Sequence, residues 1–352
     1  MLSLAVVGAL AVAACGTDTG SEVPPSASPS AAATTALTAQ PTLSGTLTIY
    51  SGRSESLVGP LIDRFRSESG LDVRVNYGGT TDLAATILEE GDASPADVFF
   101  AQDAGALGAV AREGRSTVLP ADTLDLVDSR FAADDGTWVG VSGRARVVVY
   151  DTRTLSASDL PTAIDGFTDP AWKGRIGWAP TNASFQSFVT AYRVLRGDDA
   201  ARTWLEGILA NEPKVYEGND AVLAAVAAGE IEVGFINHYY LMRQLAEQGE
   251  SFPVRNHFLA GDDPGSLINI AGATILTTAA NPAAAQAFVD FLLTPESQAY
   301  FAEQTNEYPL IDGVAANPAL PTLADIDSPD IDLSDLDDLA GTLRLLQEAG
   351  VL

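Results

Sequence analysis

The fold the sequence predicts is α/β: two lobes joined by crossing strands, with a ligand cleft between them. Three observations lead there. The chain has 352 residues, too many for one small core and suited to two lobes of ordinary size. Apolar residues make up 46%, enough for most of it to fold. Strand-like and helix-like segments alternate on both sides of a stretch around Gly143, which implies parallel sheets with right-handed crossovers.

The chain opens on "MLSLAVVGALAVAACG", an apolar run with small residues just before Cys15. The run is short for a membrane span, and small residues at its end mark cleavage, so residues 1–14 are expected to be a lipoprotein signal peptide. Cys15, the single cysteine, is then the expected lipidation site. No Lys or Arg precedes the apolar core, as an n-region requires, so the translation start is expected upstream. Residues 15–44 are rich in Ser, Thr, Ala and Pro without apolar periodicity, the composition of a disordered tether.

From residue 45 the elements follow in order. Leu47 and Ile49 sit in a short strand broken by Gly52, and Leu57, Val58, Leu61, Ile62 and Phe65 recur at helical spacing, with Ser54 placed to cap. Leu71, Val73 and Val75 alternate as a second strand, "TTDLAATILEEG" reads as a helix, and "ADVFFAQD" reads as a strand leading into the helix "AGALGAVAREG". "TWVGVSGRARVVVYDT" holds two strand-like runs joined through Gly143, the expected passage between lobes. Next come strand "RIGWA", helices "SFQSFVTAYRVLRG", "AARTWLEGIL" and "DAVLAAVAAG", strand "IEVGFI", and helix "LMRQLAEQG". "INIAGATILTT" is a strand expected to cross back, followed by helices "PAAAQAFVDFLL" and "PESQAYFAEQ". The aspartate-rich end reads as a solvated acidic segment closed by a docked helix; it lacks the Gly and closing Glu of a calcium loop. These segments place lobe 1 at 45–145 plus about 270–312, and lobe 2 at 146–269 plus about 313–352.

A formal charge of -28 argues against nucleic acid and against charge-driven membrane binding. With Cys15 lipidated, the folded body has no thiol for a disulfide, zinc finger or Fe–S site. There is no G-x-S-x-G elbow, H-E-x-x-H or P-loop, so an enzyme is not expected.

Ligands of open α/β sheets bind beyond the carboxyl ends of strands. Four polar loops follow predicted strands: 51–56, 101–103, 179–184 and 237–240. The last contains Tyr239 and Tyr240, side by side at a loop-to-helix junction where neighbouring side chains can reach one point. A phenolate is a hard anionic donor whose proton, with a pKa near 10, is displaced only by a strongly polarising ion such as Fe³⁺. Zinc and copper prefer His or Cys, and only His238 and His257 are present. Spacing alone leaves packing, aromatic stacking on a carbohydrate and metal ligation all open.

From "LTIYSG" through "LLQEAG" the body resembles the ferric-ion-binding proteins of bacterial ABC iron uptake, an iron-transporter substrate-binding lipoprotein family. The matching segments are "SPADVFFAQDAGALG", "VSGRARVVVYDTR", "WKGRIGWAPTNASF", "EGNDAVLAAVAAGEIEVGFINHYYL", "DPGSLINIAGATIL", "EYPL" and "LLQEAG". The resemblance implies a two-lobe, type II periplasmic-binding-protein-like fold that closes on iron, with Tyr239 and Tyr240 as metal ligands. It implies an anion pocket at Thr181, Asn182, Ala183, Ser184, Asn219 and Asn237. For Asn182, Ser184 and Asn219, plain helix capping is the other reading. Where some members supply a His, this chain has Ser54 after Arg53; where some supply a Glu, it has Gln102 followed by Asp103. Ser54, Gln102 and Asp103 are therefore secondary metal candidates, although Asp103 equally suits a helix cap. Fe³⁺ with two phenolates keeps one positive charge and open positions, which a synergistic anion such as carbonate, phosphate or citrate would fill. Arg53 and Arg144 are candidates to hold it through forked hydrogen bonds; Arg146 reads rather as a structural salt bridge. The expected function is an extracytoplasmic solute-binding protein, monomeric and held to the cytoplasmic membrane by the lipid on Cys15. It would pass ferric iron to an ABC permease and its ATPase. The alternative is the same fold binding a phosphonate or thiamine-like organic solute.

Overall fold

The computed structural model describes residues 43–352; the expected signal peptide, Cys15 and nearly all of the tether lie outside the described residues. The chain runs from β1 (Thr46–Ser51) into α1 (Glu55–Ser69), β2 (Asp72–Tyr77), α2 (Thr80–Glu90), β3 (Val98–Ala101), α3 (Ala104–Arg112) and the short α4 (Ala121–Leu124). The apolar residues of α1 fall on one face and are buried, and Gly70, at φ 69°, ends the helix with its N–H on the Arg66 carbonyl. Ser54 occupies the N-cap position without a capping bond; its hydroxyl lies 3.3 Å from that of Ser56. β1 pairs in parallel with both β2 and β3, as expected of crossover units.

β4 (Val139–Asp151) is one continuous strand of 13 residues, not two runs joined at Gly143. Its register with β9 (Ile268–Ile275) shifts between Gly140 and Ser142, and Gly143 exchanges backbone hydrogen bonds of 2.8 and 2.9 Å with Tyr308. A Cβ at Gly143 would come within 3.2 Å of the Tyr308 Cβ, so the glycine admits a neighbouring chain and leaves the strand unbroken.

Beyond it come β5 (Ile176–Trp178), α5 (Ala183–Arg196), α6 (Asp198–Ala210), β6 (Lys214–Val215), α7 (Asn219–Ala228), β7 (Val233–Asn237), α8 (Tyr239–Gln248) and β8 (Val254–His257). After β9 follow α9 (Pro282–Leu292), α10 (Pro295–Tyr300), a π-helical turn at Phe301–Thr305, and α11 (Leu339–Glu348). The strand order is β2-β1-β3-β9-β4-β7-β5-β6, with β8 added on β4. β4 pairs with β9 through Ala145, then with β7 from Arg146 onward, both antiparallel. A parallel unit on each side is thus joined by antiparallel crossing strands, giving the two-lobe type II fold.

One apolar cluster gathers around β1–β3, β9 and the first half of β4; a second holds Trp178, Phe185, Phe188, Trp204 and Phe235. The acidic end is not simply solvated. Ile326, Leu333 and Leu336 are buried among its aspartates, the Cβ of Asp337 closes on Gly108 of α3, and Asp337 pairs with Arg112. In α11, Leu345 and Leu346 join the second cluster.

Candidate functional site

β1, β3, β5 and β7 end at Ser51, Ala101, Trp178 and Asn237, on the first residue of the four loops singled out above or, for β5, immediately before it. Tyr239 and Tyr240 are the first two residues of α8. Successive helical residues point about 100° apart, yet the two rings stack with centroids 4.2 Å apart and planes 28° apart. The end of the helix leaves room for both rings to turn toward one point. Tyr239 is fully buried, and its hydroxyl has no hydrogen-bond partner. Burial pushes its phenol well above the usual range; the Tyr240 phenol adds to this, while the guanidinium groups of Arg53 and Arg144 oppose it. A buried phenol without a partner is costly as it stands, and a strongly polarising cation that displaces its proton would relieve that cost.

His238, next to the pair, is no free ligand. Its Nδ1 accepts from the Ala145 N–H at 3.1 Å, and its Nε2 lies 2.9 Å from the Asn306 carbonyl, to which it donates as a neutral ring. Burial lowers its pKa to about 4.

The arginines differ in setting. Arg53 donates through Nη2 to both carboxylate oxygens of Glu307, at 2.7 and 2.8 Å, and its guanidinium carbon lies 5.9 Å from the Tyr239 ring centroid. Arg144 donates only to the Ile270 carbonyl at 2.9 Å; its Nε and Nη1 are buried and unpartnered. Burial, with Arg53 nearby, lowers the Arg144 pKa, so this group has unmet need of an anion. Arg146 makes no salt bridge among the described residues. It donates to the carbonyls of Ser184 and Phe235 and lies 4.8 Å from the Phe188 ring centroid, and burial lowers its pKa to about 9. A cation–π contact therefore takes the place of the structural salt bridge expected for Arg146.

In the 179–184 loop, the Asn182 side chain caps α5, accepting from the Ser184 N–H at 3.0 Å and from the Ser184 hydroxyl at 2.6 Å. Asn219 Nδ2 donates to that hydroxyl at 3.4 Å, leaving Asn219 Oδ1 buried and unpartnered, and Asn237 Nδ2 is likewise unpartnered. Thr181 is exposed, and Ala183 lies buried in the first turn of α5. Asp103 caps α3 through Oδ1, which accepts from Ala106 N–H at 3.0 Å and from the Ser187 hydroxyl at 2.7 Å. Its Oδ2 is buried without a partner, and burial raises its pKa. The backbone N–H of Gln102 donates to Thr80, and Ser54 is exposed. Tyr239, Arg53, Arg144 and Asp103 thus gather at one place, and Ser184, Asn219 and Asn182 at another reached by Arg146. Among the described residues no three His, Cys, Asp or Glu side chains group as a metal site, and the anionic donors at the tyrosine end are the phenols and the free oxygen of Asp103.

Sequence reasoning passed over Glu307, Asn269, Gln186 and Ser187. Asn269 lies opposite Arg144 in the β4–β9 register and also has a buried, unpartnered Nδ2. Gln186 accepts from the Thr81 hydroxyl at 2.8 Å, so with Ser187 it ties α5 to the first turn of α2 and to the residue that caps α3. Their distant partners lie between 84 and 254 residues away in the chain, and nothing in the local pattern marks them; Glu307 sat in the "EYPL" match without an assigned role.

Comparison with known proteins places the chain. A family model described as "Bacterial extracellular solute-binding protein" matches residues 93–333. The major ferric iron-binding protein of Neisseria meningitidis is 36% identical over 318 residues, 90% of this chain and 96% of that one. The Fe(3+)-binding periplasmic protein of Serratia marcescens is 34% identical over 310 residues, 87% of this chain and 90% of that one. Among solved structures, iron-bound HitA from Pseudomonas aeruginosa superposes with a TM-score of 0.83 at 35% identity, covering 87% of this chain and 99% of that chain. A Trichodesmium protein (IdiA, FutA) in complex with iron and citrate does so with a TM-score of 0.74 at 30% identity, covering 88% and 100%.

Proposed function

The chain belongs to the bacterial extracellular solute-binding protein family, and from that membership we propose that it captures ferric iron in the interlobe cleft. The observation that carries the reading is the stacked pair Tyr239–Tyr240, in which the Tyr239 hydroxyl is buried and unpartnered. The relatives, named for ferric iron, support the same cargo over a phosphonate or thiamine-like solute.

A synergistic anion completes the coordination in this reading, since two phenolates leave Fe³⁺ one positive charge. Thr181, Asn182, Ala183, Ser184, Asn219 and Asn237 form its pocket, which Arg146 reaches, and Arg144 is the first choice of cation to meet the anion on the tyrosine side, because two of its donors are free. Carbonate, phosphate and citrate each fit that charge requirement. Asp103 keeps one oxygen available to the metal, whereas Gln102 and Ser54 have less to support them. The lobes divide near residue 145, where β4 exchanges β9 for β7. The protein acts as a monomeric binding protein rather than an enzyme, delivering iron to an ABC permease and ATPase. The lipid on Cys15 holds it at the outer side of the cytoplasmic membrane; the sequence of residues 1–15 supports that anchor. Among the described residues no helix is long and apolar enough to cross a membrane.

Dialysis against ferric nitrilotriacetate, followed by metal analysis, tests the reading. Wild type should retain about one iron per chain, and Tyr239→Phe/Tyr240→Phe close to none, because only two hydroxyls are removed. Equal retention by both proteins would refute the assignment.

A further inference from the structure

Arg53 and Glu307 form the one ion pair among the described residues in which both side chains are buried, at 1% and 0% exposure. Both oxygens of Glu307 are occupied: Oε1 by Arg53, and Oε2 by Arg53, the Ser142 hydroxyl at 3.1 Å and the Thr305 hydroxyl at 3.0 Å. Glu307 is therefore not free to ligate a metal. Its position is fixed from two directions. Ser142 lies in β4, and the adjacent Tyr308 is tied to Gly143 of the same strand by two backbone hydrogen bonds.

The pair stands beside the tyrosines, with the Arg53 guanidinium over the Tyr239 ring. Arg144, also buried, is close enough for the two cations to repel each other. Such a place is unfavourable for a trivalent cation: two buried guanidinium groups would oppose it in surroundings that screen charge poorly. An arginine is useful there only if its charge is cancelled by a partner that does not itself hold the metal.

We propose that Glu307 is the counter-charge of the ferric site, a positioning residue that locks and neutralises Arg53 beside Tyr239 and so allows iron to be retained there. This rests on the ferric reading above. Glu307 acts through Arg53 and does not touch the metal. Its loss frees a buried positive charge next to the cargo while leaving both phenols in place.

The test uses the purified full chain loaded from ferric nitrilotriacetate, with iron loss into excess EDTA followed by visible absorbance. Glu307→Gln keeps the shape and can still accept the two hydroxyl hydrogen bonds. It should release iron more than about tenfold faster than wild type, as expected when one member of a buried pair is removed. Arg53→Gln/Glu307→Gln, which removes both charges, should recover most of that loss. Glu307→Asp, which keeps the charge, should release more slowly than Glu307→Gln, and it serves as the reference should Glu307→Gln fail to fold. A purely structural role predicts the opposite ranking: the double variant would be no better than Glu307→Gln, and the thermal midpoints of the iron-free proteins would fall in step with retention. Either that ranking or wild-type retention by Glu307→Gln overturns the proposal while wild type still binds iron. Failure of wild type to take up iron would instead overturn the ferric reading and the inference with it.

Discussion

At the scale of single residues, His238 shows how a group beside the site can belong to the scaffold. Both ring nitrogens are committed to backbone partners, which fixes the neutral tautomer and joins the start of α8 to β4 and to Asn306. Its folded pKa of about 4 lies below the unfolded value near 6.5. The unfolded chain therefore takes up the proton first as pH falls. The stabilisation is fully present above about pH 6.5, declines as pH drops toward the folded pKa, and is gone below it, a span worth roughly 3 kcal/mol. Urea unfolding near pH 7.5 and near pH 5 should show wild type losing about 2 kcal/mol more than His238→Gln between the two. Parallel losses would mean that the ring is protonated or solvated in the native state. The tyrosine pair beside it was legible in the sequence because adjacent phenols at a strand-to-helix junction are a local signal. Glu307 was not, since its meaning comes from Arg53, 254 positions away. For Arg146, the alternating strand suggested a salt bridge and could not reveal that the side chain is buried against Phe185 and Phe188 instead.

At the scale of elements, the crossing pair β4–β9 is the seam that holds the fold together. Gly140 and Gly272 face each other there, at the register shift. A Cβ on Gly272 would stand 2.7 Å from the Ile270 and Leu107 side chains and from the Val139 carbonyl oxygen, all hemmed in by the core. Gly272→Ala should therefore cost about 1–3 kcal/mol of stability, read as a lower urea midpoint at unchanged slope. An unaffected midpoint would show that the seam can yield. Helix and strand order could be read from periodicity because most elements carry a full apolar stripe, as α1 does. The single-strand nature of β4 was hidden, because a glycine that admits Tyr308 looks, in sequence, like a break. β8 left no clear mark either: its pattern of one buried and three half-buried residues has no alternation to detect. The acidic end misled by composition, since its few Leu and Ile residues find the core and some of its aspartates are half-buried in ion pairs, Asp337 with Arg112 and Asp338 with Arg193.

At the scale of the whole molecule, closure and binding share one element. α5 carries the cap of the proposed anion pocket at Asn182. One turn later it bonds across to the other lobe, Gln186 to Thr81 and Ser187 to Asp103. A ligand seated at the start of α5 thus bears on the same helix that holds the lobes together, which fits hinge closure around a cargo. Two lobes and a cleft were legible from alternating strand and helix; these cross-lobe bonds were not, because they exist only once the lobes meet. The most direct measurement is a titration of the protein with ferric citrate followed by visible absorbance. Binding through Tyr239 and Tyr240 predicts a saturable phenolate-to-iron charge-transfer band that reaches its plateau near one equivalent and disappears in Tyr239→Phe/Tyr240→Phe. A folded wild-type protein that develops no band, or a band that survives loss of both hydroxyls, would contradict ferric capture by this pair.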